Sequence, residues 1–398
     1  MEILKFTIAS KTQFESDQFL RCLWSQFRSN FDNYGWNYWG VRSKNVVDLG
    51  MLSLGLKHPV HIQYDYEYKG RINNLYINVN KEDISGEISK LISKCVSKSI
   101  KSESHVKGGF FSTKIETYYE IQCYDGSNFR LEKTEYGANL TLGTFYFDEI
   151  DCKQEFAIKT TEIKKLLSLA FNLPIFSGAN PPEKIKVEEN LFTEELKTID
   201  TFLKTYDSTS EIYNKTLEAI SLYQNGLKII YNNRKIRVAH PSDITENYIK
   251  TYIPASHQEL LDVHQKINID IELAIVSLIS ALEVAASIQD TESKICPTCN
   301  QQVYKIAQKV KSFSKEFGNE GIEYNIKNAY SIRSQIVHAG ILLERNEALQ
   351  NVVNPRIDLS QNGKLLNLAH SLPELLLDDV RLLLLNYIKY ISKEGVEH

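Results

Sequence analysis

One short segment divides this chain into two kinds of sequence. Phe176-Ser-Gly-Ala-Asn-Pro-Pro182 gathers serine, glycine, asparagine and two prolines, a composition that punctuates regular structure rather than continuing it. Before it, apolar residues tend to recur at every second position. After it, they recur at every third or fourth. The chain has 398 residues, more than a single hydrophobic core usually holds. The expected organisation is α+β: an antiparallel β-rich domain over 1–175, a linker over 176–189, and an all-α helical bundle over 190–398.

The strand signals are local. Val60-His-Ile-Gln-Tyr-Asp-Tyr66 and Leu75-Tyr-Ile-Asn-Val79 alternate loosely. Thr117-Tyr-Tyr-Glu-Ile-Gln-Cys123, Asp125-Gly126 and Phe129-Arg-Leu-Glu-Lys-Thr134 read as a hairpin with its turn residues in place. Asn139 to Phe147 continues the pattern. Two helices, near 84–101 and 161–171, interrupt it.

Beyond the linker, Ser208-Thr-Ser-Glu211 fits a capping box for a helix through about Asn232. A long helix is expected over 257–289, with Ile271, Ile275, Leu278 and Leu282 on one stripe. Val303, Ile306, Ala307 and Val310 mark the next helix, and Ile322, Ile326, Ala329, Arg333 and Ile336 the one after. Pro373 opens a final leucine-rich helix to about Ile391. Together these make an antiparallel helical bundle.

Charge and composition exclude several classes. Net charge is −4 and pI about 6.2, so any nucleic-acid contact must be a local patch. The beginning, Met1 to Lys5, lacks the basic and apolar regions of a signal peptide. The apolar run Ile271 to Ile288 carries Glu272 and Glu283, which marks a buried helix rather than a membrane span. Six cysteines in so long a chain are not a disulfide framework. A cytoplasmic protein is expected.

The chemistry concentrates in Tyr330-Ser-Ile-Arg333-Ser-Gln-Ile-Val-His338-Ala-Gly340. Arginine is a permanent cation suited to phosphate, and histidine moves protons near neutral pH. Arg333 falls in an apolar stripe, where a guanidinium needs a partner or a cleft. On an α-helix it lies about 140° from His338, so the two would flank one groove. Gly340 suits a helix C-cap, which puts His338 in the last turn. On the residues alone two readings stand. One is a phosphodiester-cleaving pair that needs no metal. The other is a buried arginine paired with an acid such as Glu283, with His338 as a helix-end residue.

The motif resembles the HEPN superfamily, whose signature is an arginine followed four to six residues later by histidine. The wording Arg-Ser-x-Ile-Val-His-Ala-Gly after a tyrosine is most similar to its Apea-like branch, as is Ser280-Ala-Leu-Glu283 on the preceding helix. The resemblance covers about 270–345, with weaker helical agreement over 190–398. It implies a homodimer, or a higher even oligomer, whose paired Arg and His line one cleft and cut RNA, tRNA among the candidates, without a catalytic metal. It implies His338 as general base or acid, Arg333 as phosphorane stabiliser, Tyr330 and Ser334 as substrate hydrogen-bonders, and Glu283 as an orienter of Arg333. Relatives often carry Asn, Asp or His directly after the arginine; here the residue is Ser334. Several relatives act in antiviral defence or as toxins, which implies a phage-derived trigger sensed by the N-terminal domain. Readings of another class are a non-catalytic dimerisation and signal-binding module and a nucleotide-binding regulator.

Three further features have alternatives. Cys296-Pro-Thr-Cys299 has the spacing of a structural zinc knuckle, its other ligands coming from a second protomer or from His264, or is a loop with two free thiols. Lys90, Lys94, Lys98 and Lys101 form either a phosphate-contacting stripe or a solvated helix face. Tyr34-Gly-Trp36-Asn-Tyr38-Trp39-Gly40 is a binding surface or, more in keeping with its aromatics, a core turn.

Overall fold

The computed structural model describes residues 1–38, 42–68, 70–117, 121–134, 137–175, 192–234, 257–289, 305–334, 336–337 and 368–394. Of these, 42, 232–234, 257–269, 289, 368–374 and 394 are described by backbone alone. The protein is α+β, with antiparallel sheet structure over the first 146 residues and helices after it.

Two compact units divide it: Met1–Phe111 with Leu142–Thr160, and Ser112–Thr141 with Thr161–His398. Residues 112–141 and 161–175, which the sequence pattern groups with the N-terminal domain, fall in the second unit. One physical reason is visible at Asp200. Its carboxylate accepts hydrogen bonds from the backbone N–H groups of Ser127 and Asn128 and from the Asn128 side chain, at 2.8–3.0 Å. That ties a hairpin turn to a helix of the bundle.

In the first unit, β1 (Glu2–Thr7), β2 (Tyr34–Asn37), β4 (Val46–Leu54), β5 (Val60–Tyr66) and β6 (Ile72–Val79) form a sheet in the order β1-β6-β5-β4-β2, with the short β3 (Arg42–Ser43) paired to β4. These strands pair antiparallel, and Glu2 lies opposite Val79. Alternation buries Val60, Ile62, Leu75, Ile77 and Val79 on one face. Against them pack Phe19, Leu23 and Phe27 of α1 (Gln13–Asn30) and Ile92, Cys95 and Val96 of α2 (Gly86–Ile100).

Helix α1 is absent from the sequence expectation, which reads strands there. Its signal was present. Thr12 caps the helix by accepting from the Glu15 N–H, and Phe19, Leu23 and Phe27 recur at four-residue spacing. Helix α2 matches its expected position, capped by Ser85, with Lys90, Lys94 and Lys101 exposed along its outer side.

A second sheet runs β7 (Lys107–Ile115), β10 (Gly137–Tyr146), β9 (Phe129–Thr134), β8 (Tyr124–Asp125). A hairpin forms around Gly126, but its first strand among the described residues is Tyr124–Asp125 rather than Thr117–Cys123, of which 118–120 lie outside the described residues. The helix expected over 161–171 is the last part of a longer one, α3 (Glu149–Phe171). Its first turn is tied to α1 by Arg21, which holds Asp151 through two hydrogen bonds of 2.9 and 3.0 Å. The aromatic cluster is not a core turn over its described part. Trp36 and Tyr38 are 45% and 56% exposed, with Trp36 stacked on Trp24 and its indole N–H donating to the Leu49 carbonyl.

The second unit contains α4 (Thr193–Thr205), α5 (Glu211–Arg234), α6 (His257–Gln289), α7 (Ile306–Phe317), α8 (Glu320–Ser334) and α9 (Leu368–Glu394). Ser210, rather than Ser208, sits at the start of α5 and accepts from the Tyr213 N–H. Gly226 lets α5 approach α6 closely: a Cβ there would fall 2.8 Å from Leu278 Cγ. The stripe Ile271, Ile275, Leu278 and Leu282 is buried. Among the described residues, Asp270–Ile288 alone is long and apolar enough to cross a membrane by composition, and more than half of it is buried within the protein. Helix α9 begins five residues before Pro373, so that proline lies inside it rather than opening it.

Candidate functional site

Three helices of the second unit bring the motif residues together. Helix α8 is capped by Asn319, whose side chain accepts from the Ile322 N–H. Ile322, Ile326 and Ala329 then bury one face. Arg333 follows four residues after Ala329, where that face emerges. Helix α6 supplies Glu283. The start of α7 supplies Lys305, Ile306, Ala307 and Gln308. With Tyr330, these groups line a cleft of about 430 Å³. Helix α7 is anchored by Phe313 and Phe317, which pack on Tyr387 of α9.

Within the cleft, Arg333 Nη2 donates to Glu283 Oε2 at 2.9 Å, and the two side chains are 17% and 15% exposed. Tyr330 also hydrogen-bonds Glu283. Burial pushes its phenol above the ordinary tyrosine range, Glu283 reinforces the shift, and Arg333 opposes it. Arg333 Nε is buried and has no hydrogen-bond partner among the described residues. Lys305 to Gln308, at the start of α7, line the cleft, so the positive end of that helix dipole lies at its wall. Among the described residues the site therefore presents two cations, a helix start and one carboxylate already shared between an arginine and a tyrosine.

The sequence expectation named Arg333, Tyr330 and Glu283, and the fold gathers all three. Ser334 is half-buried at the last residue of α8 and does not line the cleft. His338 and Gly340 lie outside the described residues, as do Cys296 and Cys299, and the side chain of His264 is likewise not described. The 140° separation expected between Arg333 and His338 depends on His338 and so lies outside the described residues; Ile336 and Val337, before it, carry π-helical backbone. Single π-turns in α-helices recur at functional sites.

Lys305 and Gln308 escaped the sequence reading. The expected stripe from Val303 puts Lys305 inside the helix, whereas α7 begins at Ile306 and Lys305 stands at its start. Among the described residues no group of three or more His, Cys, Asp or Glu could hold a metal ion. No family model matches the chain, and no curated protein or solved structure matches it either.

Proposed function

We propose that this protein is a metal-independent endoribonuclease of the HEPN type, acting as a homodimer in the cytoplasm in antiphage defence or abortive infection. The observation that carries the reading is Arg333 on the wall of an open cleft, with Lys305 and the start of α7 beside it. A phosphodiester is the ligand such a set of positive groups suits.

In the proposed reaction His338 takes the proton of a ribose 2′-OH. The 2′-oxygen attacks phosphorus, and the P–O5′ bond breaks. A protonated histidine, from the partner protomer or after proton exchange, supplies the proton to the departing 5′-oxygen. Arg333 stabilises the charge on the phosphorane. Glu283 and Tyr330 hold the guanidinium in place. The products are a 2′,3′-cyclic phosphate and a 5′-hydroxyl. The N-terminal unit senses the trigger, and a Cys296/Cys299 zinc site, where completed, is structural.

The test is mapping of RNA ends after induced expression, beside Arg333→Ala and His338→Ala. New 5′-hydroxyl ends in the wild type that disappear in both variants support the enzyme. Equal ends in all three sink it. The Arg333–Glu283 pair favours a second reading, a non-catalytic binding module in which the arginine is a structural partner. That reading expects no cleavage and a bundle that loses stability when either partner is removed.

A further inference from the structure

Helix α2 of the first unit carries a short repeat. Ser89-Lys90, Ser93-Lys94 and Ser97-Lys98 stand four residues apart, each step about 6 Å along the axis. Both rows lie on the side of the helix opposite the buried Ile92, Cys95, Val96 and Ser99. Lys90, Lys94 and Ser97 are exposed, and Ser93 and Lys98 are half-buried. The residue three positions on is a neighbour in a helix, so Ser93 stands beside Lys90 and Ser97 beside Lys94. The buried Ser99 donates its hydroxyl to the Cys95 carbonyl, whereas the hydroxyls of Ser93 and Ser97 have no partner among the described residues.

A solvated face and a phosphate-contacting stripe are separated by how the charges pair. On other helices of this protein a surface lysine pairs with an acid on the preceding turn: Lys153 with Glu149, Lys197 with Glu194, Lys215 with Glu211. Lys90, Lys94 and Lys98 have no ion pair among the described residues, and no acidic residue occurs from Ile88 to Ser102. Like charges at four-residue spacing repel, which costs the helix stability. The flanking acids are Glu87, in the first turn where it suits the helix dipole, and Glu103. Glu103 and Glu15 share a cleft with Lys101, so Lys101 is not counted in the row.

We infer that the outer side of α2 is a contact surface for the sugar–phosphate backbone of RNA. One phosphate lies among Lys90, Ser93 and Lys94, and the next among Lys94, Ser97 and Lys98. Lysine ammonium groups and serine hydroxyls are ordinary donors to phosphate oxygens, and such contacts respond to charge rather than to sequence. The choice of RNA as the strand rests on the ribonuclease reading. A membrane surface fits less well, because the apolar side of α2 is packed into the core and has nothing to place in a bilayer.

The experiment uses the full chain with His338→Ala, so that RNA is not consumed. It follows fluorescence anisotropy of a labelled, unstructured single-stranded RNA from about 50 to about 200 mM salt. Lys90→Gln, Lys94→Gln and Lys98→Gln together should weaken binding and flatten the slope of log K against log salt by about 2, from about 0.7 for each lost contact. The gap to the parent should then narrow about 20-fold over that salt range. Ser93→Ala with Ser97→Ala should weaken binding and leave the slope unchanged, since a hydroxyl displaces no counterion. Lys153→Gln, Lys197→Gln and Lys215→Gln together remove the same charge elsewhere and should leave affinity and slope near those of the parent. Melting of the lysine variant should match or slightly exceed the parent's, because glutamine keeps helix propensity and the repulsion is relieved. Unchanged affinity in either α2 variant overturns the surface, as does an equal fall in the charge control or a parent that binds no RNA. Unchanged RNA affinity with lost binding to phosphatidylserine vesicles overturns it in favour of a membrane. The two proposals fail separately. Weakened binding in the α2 variants, with no cleavage by the protein retaining His338, leaves the surface standing without the ribonuclease. Cleavage with unchanged affinity and slope in the α2 variants leaves the ribonuclease without the surface.

Discussion

Removing one member of the Arg333–Glu283 pair should not be equivalent to removing the other. Arg333→Ala leaves Glu283 with the Tyr330 hydroxyl still donating to it. A partnered carboxylate that loses one of its donors costs about 1–3 kcal/mol. Glu283→Ala is worse. It strands a guanidinium whose Nε already lacks a partner and whose Nη2 then loses its own. Breaking a buried pair costs about 3–5 kcal/mol. A sixth or so of each side chain still meets water, which brings the expected cost down to about 2–4 kcal/mol. For a domain of this size each kcal/mol is worth about 2–4 °C of Tm. Glu283→Ala should therefore melt several degrees below Arg333→Ala. The double variant should fall short of the sum, since neither charge is then left alone. Thermal unfolding followed by circular dichroism, with cleavage measured on the same preparations, reads both outcomes. Equal melting of the single variants, or strict additivity in the double, would refute this account of the pair. If Arg333→Ala melts only slightly early yet cuts no RNA, the arginine acts on substrate and not only on Glu283.

Other outcomes follow from the same structure. Arg21→Met should destabilise the first unit by about 1–3 kcal/mol, because the 5%-exposed Asp151 carboxylate loses the guanidinium while keeping the Phe147 N–H; denaturant unfolding measures this. Tyr124 is pushed up to about 12 by burial and by Asp200, and burial raises Tyr213 and Tyr223 further. A raised folded pKa gives stability that is present below about pH 10 and lost as pH climbs through the folded values. An alkaline titration should thus show these phenols ionising late and together with unfolding; early, independent ionisation of all tyrosines contradicts their burial. Light scattering at micromolar concentration should give a dimer or a higher even oligomer, and monomer alone, with or without RNA, counts against a composite cleft. Elemental analysis should find zinc if Cys296 and Cys299 form a completed site, and free alkylation of both thiols without zinc leaves an ordinary loop.

Much of the architecture was legible because its cause is periodicity. The long helix α6 spans His257–Gln289, the range its apolar stripe suggests. Strand β5 likewise spans Val60–Tyr66. Local misses have local causes. Helix α1 opens with Gln-Phe-Glu-Ser-Asp, polar enough to hide a stripe that becomes regular only from Phe19. The grouping of residues 112–141 with the helices was not legible at all. It depends on contacts such as Asp200 with Ser127 and Asn128, about seventy positions apart. Sequence spacing carries no trace of them.

The cleft divides in the same way. A guanidinium in an apolar stripe requires a nearby acid or an opening, and the sequence offered Glu283 two helices earlier. The fold supplies both the acid and the opening. That outcome decides less than it first suggests, because a structural pair and an oriented catalytic arginine share this geometry. The distinguishing groups are those the sequence did not single out. A purely structural pair gains nothing from Lys305 or from the start of α7. Both add positive potential to a cleft whose carboxylate is already occupied. An incoming phosphate makes use of all three. Replacing Lys305 with glutamate should therefore leave melting nearly unchanged, because the residue is exposed, while weakening RNA binding and its salt dependence together. A Lys305→Glu protein that binds RNA as the wild type does would return the cleft to a structural role.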